Sequence, residues 1–154
     1  VSLGVLLNIP DNNFRQLIDY VKQMDKQAKP SGWTPDLLLW FMLNSRLKEQ
    51  EKLKYAETLA YPRLYNGLYK VIQAPNAAAA KDALNKYLDR WYNLNSDAPW
   101  YNSHLKDNCY RGYWAWEVAA VAKIMHIDDS DLKNNQYYPY DMVHWADNET
   151  TAKE

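Results

Sequence analysis

Glu117 is the residue of this chain most able to do chemistry, because it stands within an otherwise apolar and aromatic stretch. A carboxylate in such surroundings is either a general acid or metal ligand, or a structural group held by hydrogen-bond donors. A helix through this stretch would bring Tyr110, Tyr113 and Trp114 within one or two turns of Glu117. The neighbouring sequence offers no second carboxylate, nucleophile or metal ligand. These residues therefore favour a structural role for Glu117 over a catalytic one.

Other candidates for catalysis are weak. A small hydrolase would need Glu117 together with His104 and Asp107, and the sequence contains no recognised catalytic or phosphate-binding motif. The three histidines are too far apart in the sequence to give local metal-ligand spacing. Residues 126–135 contain three Asp but lack the residue order of a calcium-binding loop. Cys109, the single cysteine, is best explained as a small buried apolar residue. We therefore expect that the chain is not an enzyme and that it binds neither a metal nor a cofactor.

Charge is distributed unevenly along the chain, although the net charge is only −1. Residues 126–154 contain two basic and seven acidic residues, a local net charge of −5. Such a segment repels nucleic acid and suits a basic protein partner. We therefore expect Asp128, Asp129 and Asp131 to contact a protein partner, and no direct binding of nucleic acid. A solvated chain end is the alternative interpretation.

Length and composition are typical of one soluble domain. The chain has 154 residues, of which 47% are apolar, with seven Trp and thirteen Tyr. A single cysteine fits a reducing cytoplasm. The longest apolar run, residues 37–43, is far shorter than the ~20 residues of a membrane span, so no membrane association is expected. The chain begins at Val1 with an apolar segment, which predicts that a preceding helical domain is missing from it.

Hydrophobic periodicity predicts an all-α fold of about six helices over residues 1–145, followed by an acidic polar tail over 146–154. Helix starts are predicted at Asp11, at Thr34 with Pro35 in the first turn, at Asn76 and near Pro139. A further helix is predicted from about Asn108 to His126, and it would contain Glu117. The expected core includes Trp40, Leu88, Trp91 and Trp114.

The aromatic and polar residues of the second half resemble the signature of the PoNi-type bacterial immunity proteins. The matching elements are W-Y at 91–92, W-Y-N-S-H at 100–104, G-Y-W and E between 112 and 117, I-D-D-S at 127–130 and Y-Y-P-Y-D at 137–141. The sequence departs from the family pattern at Asn102, Leu105 and Val118. The resemblance covers nearly the whole chain, and its structural signature comprises Trp91, Tyr92, Trp100, Tyr101, His104, Gly112, Tyr113, Trp114, Glu117, Tyr138, Pro139 and Asp141.

This resemblance implies a helical, cytoplasmic and non-enzymatic protein that corresponds to the C-terminal domain of the family. Such proteins bind and block secreted polymorphic toxins, typically DNases of the PoNe type. Since a DNase presents a basic cleft to phosphate, an acidic surface from Asp128 onward would be suited to occupy it. Asn102 removes one negative charge from the signature. A helical adaptor for an unrelated protein partner is the competing class of function.

Overall fold

The computed structural model describes residues 1–27, 33–106, 110 and 112–145. Within these residues every regular element is helical and no strand occurs, which confirms the all-α prediction. The described ranges contain eight α-helices instead of about six, and three of them have five residues or fewer. The helices are α1 (Ser2–Leu6), α2 (Asp11–Lys26), α3 (Leu37–Asn44), α4 (Pro62–Ile72), α5 (Ala77–Leu94), α6 (Ser103–Lys106), α7 (Trp116–Ile124) and α8 (Tyr140–Val143). Two 3₁₀ turns, Glu49–Glu51 and Ser130–Leu132, complete the described structure.

Helix α7 lies at the centre of the packing. It contacts α1, α3, α5 and α8, while α4 and α5 form the most extensive helix pair. Five consecutive residues of α7, from Val118 to Ala122, are buried. Three of these five are alanines, and their small side chains allow neighbouring helices to approach α7 closely. A helix that is apolar on all sides is expected at such a position.

Helix α5 follows the sequence prediction closely. The side chain of Asn76 accepts a hydrogen bond from the backbone N–H of Ala79, so the predicted cap is confirmed. The buried stripe of α5 includes Leu84, Tyr87, Leu88 and Trp91. Through this stripe α5, the longest helix among the described residues, packs against the core.

Helix α3 begins later than predicted. Its cap is Asp36, whose Oδ1 accepts the backbone N–H of Leu39 at 2.8 Å, so the prediction of Thr34 as the cap was wrong. The other carboxylate oxygen of Asp36 accepts the backbone N–H of Ala60 at 2.7 Å. Asp36 thus accepts a backbone N–H at the start of α3 and another from a distant loop. These tertiary contacts explain why Asp36, and not Thr34, is the cap.

The start of α2 also differs from the prediction by one position. Pro10 occupies the cap position, and Asp11 is the first helical residue. The carboxylate of Asp11 pairs with Arg46 instead of capping the helix.

Helix α7 starts at Trp116 and not near Asn108, so the long helix predicted from 108 to 126 was wrong. Gly112 has a φ of +84°, a left-handed conformation that a right-handed helix cannot contain. Nearer the helix, the N–H of Ala115 donates to the carbonyl of Tyr137 at 2.8 Å. These two features keep residues 112–115 in an irregular segment that leads into α7.

Three of the four predicted core residues are buried. Trp40, Leu88 and Trp91 are 2%, 1% and 3% exposed. Trp114 is 41% exposed, so its assignment to the core was wrong. It lies in the irregular segment before α7, and the helical periodicity that would have placed it inside does not apply there.

Several sequence predictions fall on residues outside the described ones, namely Asp107, Cys109 and the tail 146–154. The missing preceding domain stays a prediction. Within the described part of the chain, no helix is long and apolar enough to cross a membrane.

Candidate functional site

Glu117 lies in the first turn of α7 and is held by α5. Its Oε1 accepts a hydrogen bond from the indole Nε1–H of Trp91 at 2.6 Å. The expected donors were the neighbouring Tyr110, Tyr113 and Trp114, or an Arg, Lys or His elsewhere in the chain. Those three aromatic residues precede the helix, and the donor is instead the distant Trp91. The contact is instead a tertiary one, between residues 26 positions apart in the sequence.

The electrostatic environment of Glu117 opposes its ionisation. Burial raises the pKa of Glu117 above its ordinary value, while the hydrogen bond from Trp91 acts in the opposite direction. Burial, together with the charge of Glu117, also raises the pKa of Tyr65 to about 12 and raises that of Tyr87. The charge of Glu117 therefore acts on phenols of both α4 and α5.

Tyr92 is the centre of an aromatic cluster built from the signature residues. Its ring stacks on Tyr137 with a centroid distance of 5.2 Å and an interplanar angle of 2°. The rings of Tyr101 and Tyr113 lie 4.6 and 5.0 Å from it. Its hydroxyl donates to Oδ1 of Asn102 at 2.9 Å, so an amide oxygen serves as the acceptor at the position where the family pattern has Asp. These contacts tie α5 to the loops on either side of α6.

His104 is bound to Tyr113 and not to Glu117. The Nδ1 atom of His104 lies 2.7 Å from the Tyr113 hydroxyl, and the backbone N–H of His104 donates to the same oxygen at 3.1 Å. The Ser103 hydroxyl lies 3.2 Å from it. The hydrogen bonds of the described residues therefore do not assemble the Glu117–His104 pair that a hydrolase would use.

A cavity of about 310 Å³ opens beside Glu117, and we call it the aromatic cavity. It is lined by Tyr65, Trp91, Asn95, Trp100, Gly112, Tyr113, Trp114, Trp116 and Glu117. Most of these residues belong to the signature. The signature therefore forms the walls of a concave site as well as packing the fold, which the sequence did not reveal.

Asp128 and Asp131 lie on the surface and share one lysine. Nζ of Lys81, on α5, is 2.9 Å from Oδ2 of Asp128 and 3.1 Å from Oδ1 of Asp131. The hydrogen bonds from Lys81 lower the pKa of both carboxyl groups, and they raise the pKa of Lys81. The two predicted contact residues are therefore adjacent and ionised at neutral pH.

Asp129, the third predicted contact residue, is only 5% exposed and faces the interior. Its Oδ2 accepts the hydroxyl of Tyr138 at 2.8 Å, and its Oδ1 lies 3.0 Å from Nε2 of His144. Burial and this hydrogen bond raise the pKa of Tyr138. The expectation that the three carboxylates share one surface must therefore be corrected, because Asp129 ties the loop to α8. Next to this contact, Pro139 is the cap residue of α8, as predicted, and Asp141 is exposed on that helix.

Two partly buried polar anchors were missed by the sequence prediction. Nζ of Lys123 donates to the carbonyls of Leu6 and Val143 at 2.9 and 2.7 Å, which joins α7 to α1 and α8. The carboxylate of Asp25 accepts the indole N–H groups of Trp33 and Trp40 at 2.8 and 2.6 Å. A charged residue within an otherwise apolar helix face was the available signal in both cases.

The described residues contain no group of three or more His, Cys, Asp or Glu side chains that could hold a metal ion. Comparison with protein families matches residues 34–142 to the family described as PoNe immunity proteins (PoNi), C-terminal. The chain belongs to the PoNi family. The matched region runs from just before α3 into α8 and includes Trp91, Glu117, Asp129 and the walls of the aromatic cavity. No curated protein and no solved structure matches this PoNi chain significantly.

Proposed function

We propose that this PoNi chain binds a cognate PoNe-type nuclease toxin and neutralises it by occupying the cleft that would otherwise hold nucleic acid. The observation that carries the proposal is the family match over residues 34–142. A nuclease cleft is basic because it must neutralise phosphate groups. A protein that fills such a cleft is expected to present carboxylates and aromatic side chains. This chain is rich in Trp and Tyr, and its acidic residues are in excess over residues 126–154.

The exposed carboxylates of Asp128 and Asp131 are the best candidates for contact with a basic cleft. Their side chains are 70% and 47% exposed. The ion pairs with Lys81 hold them in place at the surface, and pairs of this kind contribute little to folding. Together with Lys81 they form a group of net charge −1, and Asp141 adds a further exposed carboxylate in the same segment. Asp129 takes no part in this proposed surface.

Neutralisation by occupation needs no turnover. In this proposal neither His104 nor Glu117 acts on a substrate, and both stabilise the fold through their hydrogen-bonding contacts with Tyr113 and Trp91. The alternative of a helical adaptor would keep the same fold but would have no inhibitory effect on a nuclease. Inhibition therefore separates the two functions.

The test is a titration of the cognate toxin with the purified chain, followed by DNA cleavage and by calorimetry. We expect the rate of DNA cleavage to fall in proportion to the amount of chain added. Cleavage should stop at the molar ratio of chain to toxin that calorimetry gives for the complex. An unrelated nuclease should be unaffected. A complex that still cleaves DNA would contradict neutralisation, and inhibition at far less than one equivalent would indicate an enzyme instead of a stoichiometric inhibitor.

A further inference from the structure

The aromatic cavity has a rim that solvent can reach and an interior that it reaches poorly. Trp100 and Trp114 are 37% and 41% exposed at the rim, whereas Trp91 and Tyr113 are 3% and 9% exposed within it. The rings of Trp91 and Trp100 stack at 5.6 Å, so a continuous aromatic wall leads inward. The volume, about 310 Å³, is at the lower end of the range for small-ligand sites, roughly 300–1,000 Å³.

The only carboxyl group among the described residues that line this cavity is that of Glu117. A cation that enters beside it favours its ionised form, because an opposite charge lowers the pKa of a carboxyl group. Its Oε1 accepts the Trp91 indole N–H, and no described Lys, Arg or His forms an ion pair with it. A partly buried carboxylate in a cavity lined by Trp and Tyr rings attracts a cation through its charge, and aromatic faces add to that attraction. The cavity is therefore complementary to a single basic group.

We propose that the aromatic cavity receives the guanidinium group of one arginine side chain of the toxin. This inference rests on the proposed function, and it names the chemical group that the toxin contributes. A guanidinium suits the site better than an ammonium, because it is planar, stacks on aromatic rings and is less strongly hydrated. A nuclease carries arginines on its phosphate-binding face, so insertion of one of them here withdraws it from DNA.

The wall of the cavity is formed before any partner binds. A Cβ atom at position 112 would lie 2.6 Å from Nε1 of Trp114, so the indole of Trp114 packs directly over Gly112. The positive φ of Gly112 disfavours any other residue there. Since Trp114 is exposed yet held in place, little ordering is needed when a side chain enters, which favours affinity.

The first test uses the chain alone with N-acetyl-arginine amide as the probe and N-acetyl-citrulline amide as its uncharged control. We expect the arginine probe, at millimolar concentration, to shift the indole N–H resonance of Trp91 in a ¹⁵N NMR spectrum, and the citrulline probe to leave it unchanged. Glu117→Gln keeps an acceptor for Trp91 but removes the charge, and Trp114→Leu removes a wall. Both should weaken binding at least about tenfold. Trp145→Leu, which changes an exposed tryptophan outside the cavity, should bind like the wild type.

The second test places the same variants against the cognate toxin in a double-mutant cycle. Changing one particular arginine of the toxin to Ala should weaken the binding of the toxin to the wild-type chain. The same change should weaken binding to the Glu117→Gln chain very little further, because the two substitutions remove the same contact. Equal shifts with arginine and citrulline, no shift with arginine, or no coupled arginine would overturn the inference. In each of these cases a toxin that is still bound and inhibited leaves the proposed function standing. A toxin that does not bind at all contradicts the proposed function instead.

Discussion

One hydrogen bond between Trp91 and Glu117 joins the end of α5 to the start of α7. The sequence indicated that Glu117 needs a donor, because an unpaired buried carboxylate is costly. It did not indicate which donor, because the indole that supplies the bond comes from a distant part of the chain. Local spacing suggested Tyr113 and Trp114, and both lie outside the helix. The role of the residue was therefore predictable, whereas its partner depended on the tertiary fold.

Replacing Glu117 by Ala should lower the free energy of unfolding by about 1–3 kcal/mol, because the buried N–H of Trp91 loses its acceptor. Glu117→Gln should lose less, since the amide oxygen can accept the same bond. Urea unfolding at neutral pH measures both changes. A Glu117→Ala variant as stable as the wild type would show that the bond between α5 and α7 does not stabilise the fold.

The pH dependence of stability should also change in the Gln variant. Because the pKa of Glu117 is raised in the folded state, the folded chain retains a proton that the unfolded chain has released. The wild type should therefore lose stability as the pH rises from the unfolded pKa through the folded one. Glu117→Gln lacks this loss, so its stability relative to the wild type should improve with rising pH. Parallel stability profiles for the two proteins would be inconsistent with a raised pKa.

Among the helices, those bounded by local signals were predictable and those bounded by tertiary contacts were not. The Asn76 cap and the apolar stripe of α5 are both readable from the sequence. The start of α7 depends on the left-handed Gly112 and on the hydrogen bond from Ala115 to Tyr137, and hydrophobic periodicity contains neither. The aromatic cavity lies beside this irregular segment. For that reason the sequence named most of its residues but did not show that they enclose a space.

The close approach of α4 and α5 depends on Gly67. A Cβ atom there would lie 2.6 Å from Cδ2 of the buried Tyr87 ring. Gly67→Ala gains about 1 kcal/mol of helix propensity, but it forces an overpacked contact that typically costs about 1–3 kcal/mol. We expect a net loss of stability and a melting temperature about 2–4 °C lower for each kcal/mol lost. Asn66→Ala, at the exposed neighbouring position, is the control and should not lower the melting temperature. Equal melting temperatures for the two variants would argue against close packing at Gly67.

Over the whole molecule, the charge pattern predicted an acidic segment after His126, but the fold reduces the number of its carboxylates that are exposed and unpaired. Asp129 turns inward to Tyr138 and His144, and Lys81 shares Asp128 and Asp131. A sequence count treats each carboxylate as equally exposed and cannot identify these pairings. The acidic surface of the described residues is therefore smaller than the local charge of −5 suggested.

Reversing Asp128 and Asp131 to Lys should slow association with the toxin about tenfold at low salt, because charges at such a surface mainly accelerate encounter. Added salt should slow the wild type more than the variant. The control is the double reversal of Asp19 and Glu57, which changes the net charge equally at other exposed positions, and stopped-flow mixing measures all three proteins. Melting curves must first show that the variants are folded. If both double variants associate at the same rate, this surface has no special part in recognition.

The claim that the chain neutralises a nuclease by occupying its cleft is tested most directly by competition. A catalytically inactive variant of the cognate toxin is bound to fluorescently labelled DNA, and the purified chain is then added while the anisotropy is followed. Occupation of the cleft predicts that the chain displaces the DNA completely at the stoichiometry of the complex. A stable ternary complex, in which toxin holds the chain and the DNA together, would contradict the account.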